Sequence, residues 1–307
     1  MLISFVLPAY KRQFLASAIQ SILDQEYRDF ELIIIDDHSP EDLKGIVDGF
    51  DDSRIQYFRN EKNIGGTDLV GQWNKCIQYA KGEYLVLAAD DDLYTPNFLT
   101  EIVRLINKYP TVDLLRSRVE LINESDEIIG IDNVMPEYMS QIEFTYNWLR
   151  GIPFVCIGNY VFKTKVIQEK LFDQLPFAFG SDITSVLKMA ANGLANTSEM
   201  LFKFRISRFH LSSDTSKYEH KIEAISKLYK MVDQIDYPAP QNPVQEYCYH
   251  EIQWEHLYQK CVYDYYNVAV KYLPFRKMGL INSCVLLKPK DKYMMYARFV
   301  MDKILKR

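Results

Sequence analysis

Tyr84-Leu85-Val86-Leu87-Ala88-Ala89-Asp90-Asp91-Asp92 is the stretch on which the fold turns: an apolar run too short for a helix that passes directly into three carboxylates. Such a run reads as a strand buried on both faces, the kind found in parallel sheets whose sides are covered by helices. Upstream the pattern repeats. Leu32-Ile33-Ile34-Ile35 breaks into Asp36-Asp37-His38-Ser39-Pro40, and Ile3 to Leu7 reads as a first buried strand. Between these two, Phe14, Leu15, Ala18, Ile19, Ile22 and Leu23 recur at spacings of three and four, one face of a helix. Arg54 to Phe58 supplies another short strand and Leu69 to Ala80 another helix, while Ser39 and Pro40 are expected to cap and open the helix after the second strand. Strands alternating with helices over the first 120 residues predict an α/β domain with a mainly parallel sheet. Further on, the patterns predict helices over 97–108 and 181–192 and part of a hairpin over 126–131. From about residue 215 the chain becomes Tyr-rich and helical, interrupted by Pro238, Pro240 and Pro243, so the expected division is 1–215 and 216–307.

The 307 residues are 48% hydrophobic and 25% charged, which excludes disordered, collagenous and disulfide-scaffold classes. A net charge of -5 lacks the basic footprint of a nucleic-acid-coating protein, so no nucleic-acid partner is expected. Five widely spaced cysteines with no C-x-x-C pair suggest neither disulfides nor a zinc site, and a reducing compartment is the natural reading. With no signal-like N-terminus and no long uncharged apolar stretch, the expected location is cytoplasmic, or peripheral on the cytoplasmic face of a membrane.

In open α/β sheets, ligands bind beyond the carboxyl ends of the strands, and both acidic clusters lie at such ends. Pro8-Ala9-Tyr10-Lys11-Arg12 follows the first strand where a dinucleotide fold would carry its glycine fingerprint, and no G-x-x-x-x-G-K-[ST] occurs anywhere. A nucleotide diphosphate would then be neutralised by a hard divalent cation on one or two carboxylates, for which Asp90-Asp91-Asp92 is suited. Each cluster also has a bland explanation. A lone Asp-Asp-His-Ser at a strand end is commonly a helix cap, whereas three adjacent carboxylates repel one another and gain little as a cap.

The ordered set Ser4 to Tyr10, Phe30 to Ser39, Asn63-Ile64-Gly65 with Asn74, Lys81-Gly82-Glu83-Tyr84 and Ala89 to Pro96 resembles the family 2 glycosyltransferases, which have the GT-A fold. The resemblance covers roughly residues 1–215. It implies a metal-dependent enzyme that moves a sugar, with inversion, from a nucleotide-sugar donor, most simply a UDP-sugar, to a hydroxyl of a glycan or lipid-linked acceptor in surface-polysaccharide synthesis. Carried onto this chain, it makes Pro8, Ala9 and Tyr10 part of the base pocket, Asp37 a contact to the base and Asp90 a contact to the ribose. Asp91 becomes the ligand of Mn2+ or Mg2+, with Asp92 completing a D-x-D. Many members read Leu-Asp-x-Asp-Asp where this chain reads Ala88-Ala89-Asp90-Asp91-Asp92, which leaves the division of labour among the three open. Asp182, in Phe179-Gly180-Ser181-Asp182, matches the general base; most relatives carry Glu-Asp where Ser181-Asp182 stands here. Arg205 to Ser213 resembles an Arg-x-His-x-x-Ser segment, giving His210 to the metal or diphosphate and Arg208 to the phosphates. A sugar-phosphate nucleotidyltransferase would need a Gly-rich basic loop that is missing after the first strand, and Asp91 together with Asp182 speaks against a non-catalytic nucleotide- or glycan-binding relative.

The last 37 residues carry a net +8 and the remainder -13. Apolar clusters such as Val285-Leu286-Leu287 and Tyr293-Met294-Met295-Tyr296 are interleaved with the charges. Two expectations follow: reversible docking on an anionic membrane face, or packing of the basic tail against the acidic body.

Overall fold

The computed structural model describes residues 1–207 and 217–305. Strands β1 (Ile3–Ala9), β2 (Phe30–Asp36), β3 (Ile55–Arg59) and β4 (Tyr84–Leu87) run parallel in the order β3-β2-β1-β4. Their alternation explains the unbroken apolar runs. Val6, Ile33, Ile35, Leu85 and Leu87 enter one hydrophobic cluster, while Phe5, Leu7, Leu32, Ile34 and Val86 enter the cluster on the opposite face. Helix α1 (Leu15–Leu23) buries the face read from its spacing, and α2 (Leu43–Val47) and α3 (Leu69–Cys76) complete the βα units. Helix α3 gives way to a 3₁₀ turn at Ile77–Tyr79, earlier than the expected end at Ala80. The cap of α2 differs from expectation: Asp42, not Ser39, accepts from Gly45 N–H at 2.9 Å, because Ser39 is drawn into the site.

The sheet then turns mixed. Strand β5 (Leu93–Tyr94) lies at the far edge, followed by α4 (Phe98–Lys108), the β6 (Leu114–Ile122)–β7 (Ile128–Ile131) hairpin, β8 (Tyr138–Met139), α5 (Gln141–Leu149), β9 (Tyr160–Lys163), α6 (Thr164–Lys170), α7 (Ser181–Met189) and β10 (Leu194–Arg205). Beyond β4 the order is β9-β6-β10-β5, with β9 antiparallel to both neighbours, β10 parallel to β6 and β5 antiparallel to β10. This is the GT-A arrangement. The expected helix over 181–192 ends at Met189 and continues as a 3₁₀ turn.

Helices α8 (Tyr218–Asp233), α9 (Pro243–Glu251), α10 (Trp254–Tyr272) and α11 (Pro289–Leu305) pack on the face lined by α5 and α7, and Leu257, Tyr265 and Phe299 join the same hydrophobic cluster as Val6 and Ile33. The five cysteines are buried free thiols. Among the described residues no helix is long and apolar enough to cross a membrane.

Candidate active site

Strand order reverses between β1 and β4, which opens a crevice at their carboxyl ends. Asp90 closes that crevice at its base: its Oδ2 accepts from the backbone N–H groups of both Tyr10 and Lys11, each at 2.8 Å. One carboxylate therefore ties the loop after β1 to the loop after β4. Pro8 and Ala9 are the last residues of β1, and the Tyr10 ring is 43% exposed at the crevice mouth.

Asp36 and Asp37 brace the other side. Asp36 is fully buried and accepts from Ser39 N–H at 2.7 Å, Tyr57 Oη at 2.6 Å and the Arg59 guanidinium. Ser39 Oγ donates to Tyr10 C=O at 2.7 Å, so this network extends into the first loop. Burial and the Asp36 charge push the Tyr57 phenol up to about 12, keeping it a neutral donor. Asp37 holds the Asn60–Gly65 loop, with Oδ1 accepting from Asn60 Nδ2 at 2.7 Å and Ile64 N–H at 2.9 Å, and Oδ2 from Gly65 N–H at 2.7 Å.

Asp92 is met from β10. Arg205 N–H donates to Asp92 Oδ1 at 2.9 Å, and its guanidinium, 1% exposed, donates to Asp91 C=O at 2.8 Å and Asn123 C=O at 3.0 Å, pairs with Asp126 and lies 4.2 Å over the Phe14 ring. Burial first and the Asp91 charge second raise both Asp90 and Asp92 above the ordinary carboxylate range. Asp91 differs from its neighbours. Among the described residues its side chain takes no backbone donor, and its Oδ2 faces the Lys11 ammonium at 3.5 Å. Among the described residues the three aspartates do not converge on one point as a carboxylate cage. The oxygen donors, the unrelieved negative charge and the loose Lys11 pairing fit a hard divalent cation held by one or two carboxylates and completed by phosphate oxygens.

Asp182 opens α7 behind Gly180, whose φ of +87° and Leu228 Cδ1 contact, 2.2 Å from any added Cβ, admit no side chain. Phe177 and Ala178 just before it also have left-handed backbones, φ 51° and 59°. Strain concentrated in one turn is a mark of functional positioning. A helix N-terminus favours the ionised form of Asp182. Burial outweighs the backbone N–H groups and pushes its carboxyl up to about 6. Asp182 and the aspartate cluster share a neighbour: burial, then the charges of Asp92 and Asp182, push the Cys156 thiol up. A cleft of about 340 Å³ separates Thr67–Leu69 from the 174–178 turn, with His220 and Lys227 of α8 on its rim. The wall beside Cys156 is fixed by the fully buried Arg116, which pairs with Asp132 and donates to Phe154 C=O at 3.0 Å.

Arg208 and His210, the expected phosphate and metal contacts, lie outside the described residues. The sequence reading missed Asp36, Ser39, Tyr57 and Arg59 as one network, Lys11 beside Asp91, and Arg205 behind Asp92. Asp36, Ser39 and Lys11 stand in stretches quoted above and Arg205 opens the segment ending in Ser213, whereas Tyr57 and Arg59 carry no local mark of a site.

Comparison with known proteins agrees with this geometry. The description Glycosyl transferase family 2 matches residues 4–171, more than half of the chain. The Escherichia coli UDP-Glc:alpha-D-GlcNAc-diphosphoundecaprenol beta-1,3-glucosyltransferase WfgD is 26% identical over 223 residues, 70% of this chain and 81% of WfgD. Among solved structures, S. aureus TarS in complex with UDP-GlcNAc superposes with a TM-score of 0.66 at 15% identity, over 98% of this chain and 89% of that one. The mannosyltransferase PcManGT from Pyrobaculum calidifontis, in complex with GDP-Man and Mn2+, superposes with a TM-score of 0.56 at 14% identity, over 98% and 86%. With the family match spanning the crevice and both acidic strand ends, the chain belongs to glycosyl transferase family 2.

Proposed function

We propose that this glycosyltransferase moves a sugar from a UDP-sugar to a hydroxyl of a lipid-linked glycan, with inversion and with Mn2+ or Mg2+ as cofactor. The observation that carries the reading is the uneven use of three adjacent carboxylates: among the described residues Asp90 and Asp92 are spent on backbone donors, and Asp91 meets a loosely held lysine. Asp91 is the primary metal ligand and Asp92 the secondary one, through its second oxygen. When bound, the cation offsets the charge that grows on the diphosphate as the sugar departs. Lys11 swings from Asp91 to the phosphates, Tyr10 covers the base above Asp37, and Asp90 Oδ1 serves the ribose. Asp182 takes the proton from the acceptor hydroxyl, which enters through the cleft between Thr67 and Phe177. The UDP-sugar and the lipid-linked acceptor are supported by the activity of WfgD and the ligand of the TarS complex, and the cation by the PcManGT complex.

A membrane-bound acceptor gives the C-terminal segment a role. Residues 290, 293, 294, 297, 298, 301 and 304 of α11 are all exposed and share one helical stripe: Lys290, Tyr293, Met294, Ala297, Arg298, Met301 and Ile304. The opposite side buries Met295 and Phe299. Lys277 pairs with Glu219 at 2.9 Å, while the stripe itself presents its apolar and basic side chains to solvent, the pattern a lipid face would cover. The test of the whole reading is UDP release from a panel of UDP-sugars, with and without a diphospholipid-linked sugar acceptor and with and without Mn2+. Acceptor-stimulated, Mn2+-dependent release is expected; no release from any nucleotide sugar with any such acceptor would overturn it.

A further inference from the structure

We propose that His250, Glu251 and His256 form a zinc-binding clip across the junction of α9 and α10, a site separate from the transferase centre and independent of its chemistry. On a continuous helix, residues six apart point about 120° away from each other, so the two histidines would diverge. The break at Ile252 and Gln253, where Gln253 is extended with ψ 163°, turns the chain and brings them to one side. One ligand atom from each of the three residues then lies within 4.8 Å of the others.

The carboxylate between the rings is divided between them. Glu251 Oε1 is 3.4 Å from His250 Nδ1, and Oε2 is 3.7 Å from His256 Nδ1. Both separations exceed an ordinary N–H···O bond of about 2.9 Å. The first equals the roughly 3.4 Å ligand–ligand edge of a tetrahedral zinc site with metal–ligand bonds of about 2.1 Å, and a small rotation of the exposed His250 and half-buried His256 side chains about the shared carboxylate would bring the second to it. The turn is held rigidly from below. Cys248 and Ile252 pack with Ile142 of α5, Gln253 N–H donates to His250 C=O at 3.3 Å, and His256 N–H donates to Gln253 C=O at 3.0 Å. His250 is 77% and His256 32% exposed, so water can reach the fourth position.

Donor chemistry separates this site from the aspartate cluster. Two imidazoles and one carboxylate suit borderline ions such as Zn2+, whereas carboxylates and phosphates suit Mg2+ and Mn2+. The bound metal would lock the α9–α10 angle.

Calorimetric titration of Zn2+ into the metal-free full-length protein tests this, alongside His250→Ala, His256→Gln and Asp91→Asn. One equivalent is expected to bind to wild type and to Asp91→Asn, with affinity about tenfold or more weaker in each histidine variant. Zinc should also raise the thermal unfolding midpoint of wild type and Asp91→Asn but not of His250→Ala, whose exposed side chain is dispensable for folding. Superimposable titrations of wild type and His250→Ala, or no zinc uptake by wild type, would overturn the clip. Because Asp91→Asn leaves the expected signal intact, the outcome does not depend on where the transferase binds its own cation.

Discussion

At the carboxyl ends of β1 and β4, polar groups are buried and paired, whereas along α11 apolar groups are left uncovered. Asp36, with 0% exposure, has three donors and Asp90 two, and Arg205 alone reaches Asp92, Asp91, Asn123 and Asp126. Met301, Tyr293 and Ile304 stand 57%, 77% and 63% exposed on the last helix. The first arrangement fixes charge in place before a ligand arrives, which is what electrostatic stabilisation of a departing diphosphate needs. The second leaves surface whose burial is incomplete within one chain. A nucleotide site gains from preorganisation and a lipid site from exposed apolar area.

The sharpest way to break the first half of this contrast is Asp91→Asn. An amide keeps the shape and removes the charge, so transfer should fall about a thousandfold and the gain in UDP affinity on adding Mn2+ should vanish. Wild-type and variant titrations of UDP with and without Mn2+ check it, and an undiminished metal-dependent gain would remove Asp91 from the site. Next in size is Arg205→Met. It leaves the buried carbonyls of Asp91 and Asn123 without their donors and removes the cation beside Asp92, whose bond from the residue 205 backbone N–H survives, at a cost of about 3 kcal/mol in unfolding free energy, measurable by urea denaturation. A loss under about 1 kcal/mol would mean the guanidinium is not holding the cluster.

Asp182→Asn should lower turnover about a hundredfold while leaving UDP affinity unchanged, which separates base from donor site. The wild-type pH profile offers a second measurement. The base works only as carboxylate, and its pKa is raised to about 6, so activity is full near pH 7.5 and is lost as pH falls through about 6. Below that, about a tenth of the rate should remain one pH unit down. A profile flat to pH 5 would place the base elsewhere.

The same contrast explains what could be read in the sequence. Strands β1, β2 and β4 are buried on both faces, so their residues are mainly apolar, and the ends of β2 and β4 are marked by aspartates; the fold class and the aspartate clusters follow from that. Strand β10 went unread because Asn196-Thr197-Ser198-Glu199 interrupts it where its pairing with β6 is irregular. Strand β6 was hidden by Arg116, Ser117 and Arg118, polar residues kept inside by Asp132 and by backbone carbonyls. Ser39 carries every local mark of a cap, yet tertiary contacts with Asp36 and Tyr10 claim it and leave the helix to Asp42. Which of three consecutive aspartates remains unspent is set by Tyr10, Lys11 and Arg205, two of them about 80 residues away and one over 110. Local pattern carries none of that.

The smallest effect is expected at α11, and it sharpens the second half of the contrast. Removing the helix is a poor test, because Met295 and Phe299 belong to the core and their loss would unsettle α10 as well. The exposed stripe can be changed without touching that core. Met294→Ser with Met301→Ser removes apolar area that would enter a lipid surface, and Lys290→Gln with Arg298→Gln removes two charges, each worth about 1 kcal/mol near an anionic bilayer. On vesicles containing anionic lipid at low salt, each pair should weaken co-sedimentation about tenfold, since the stripe is only partly immersed. High salt separates the two contributions: it should erase the difference between wild type and the charge variant while leaving the methionine variant weaker than both. If all three proteins sediment alike with anionic and with neutral vesicles at either salt, α11 does not face a membrane, and its exposed stripe needs a partner of another kind.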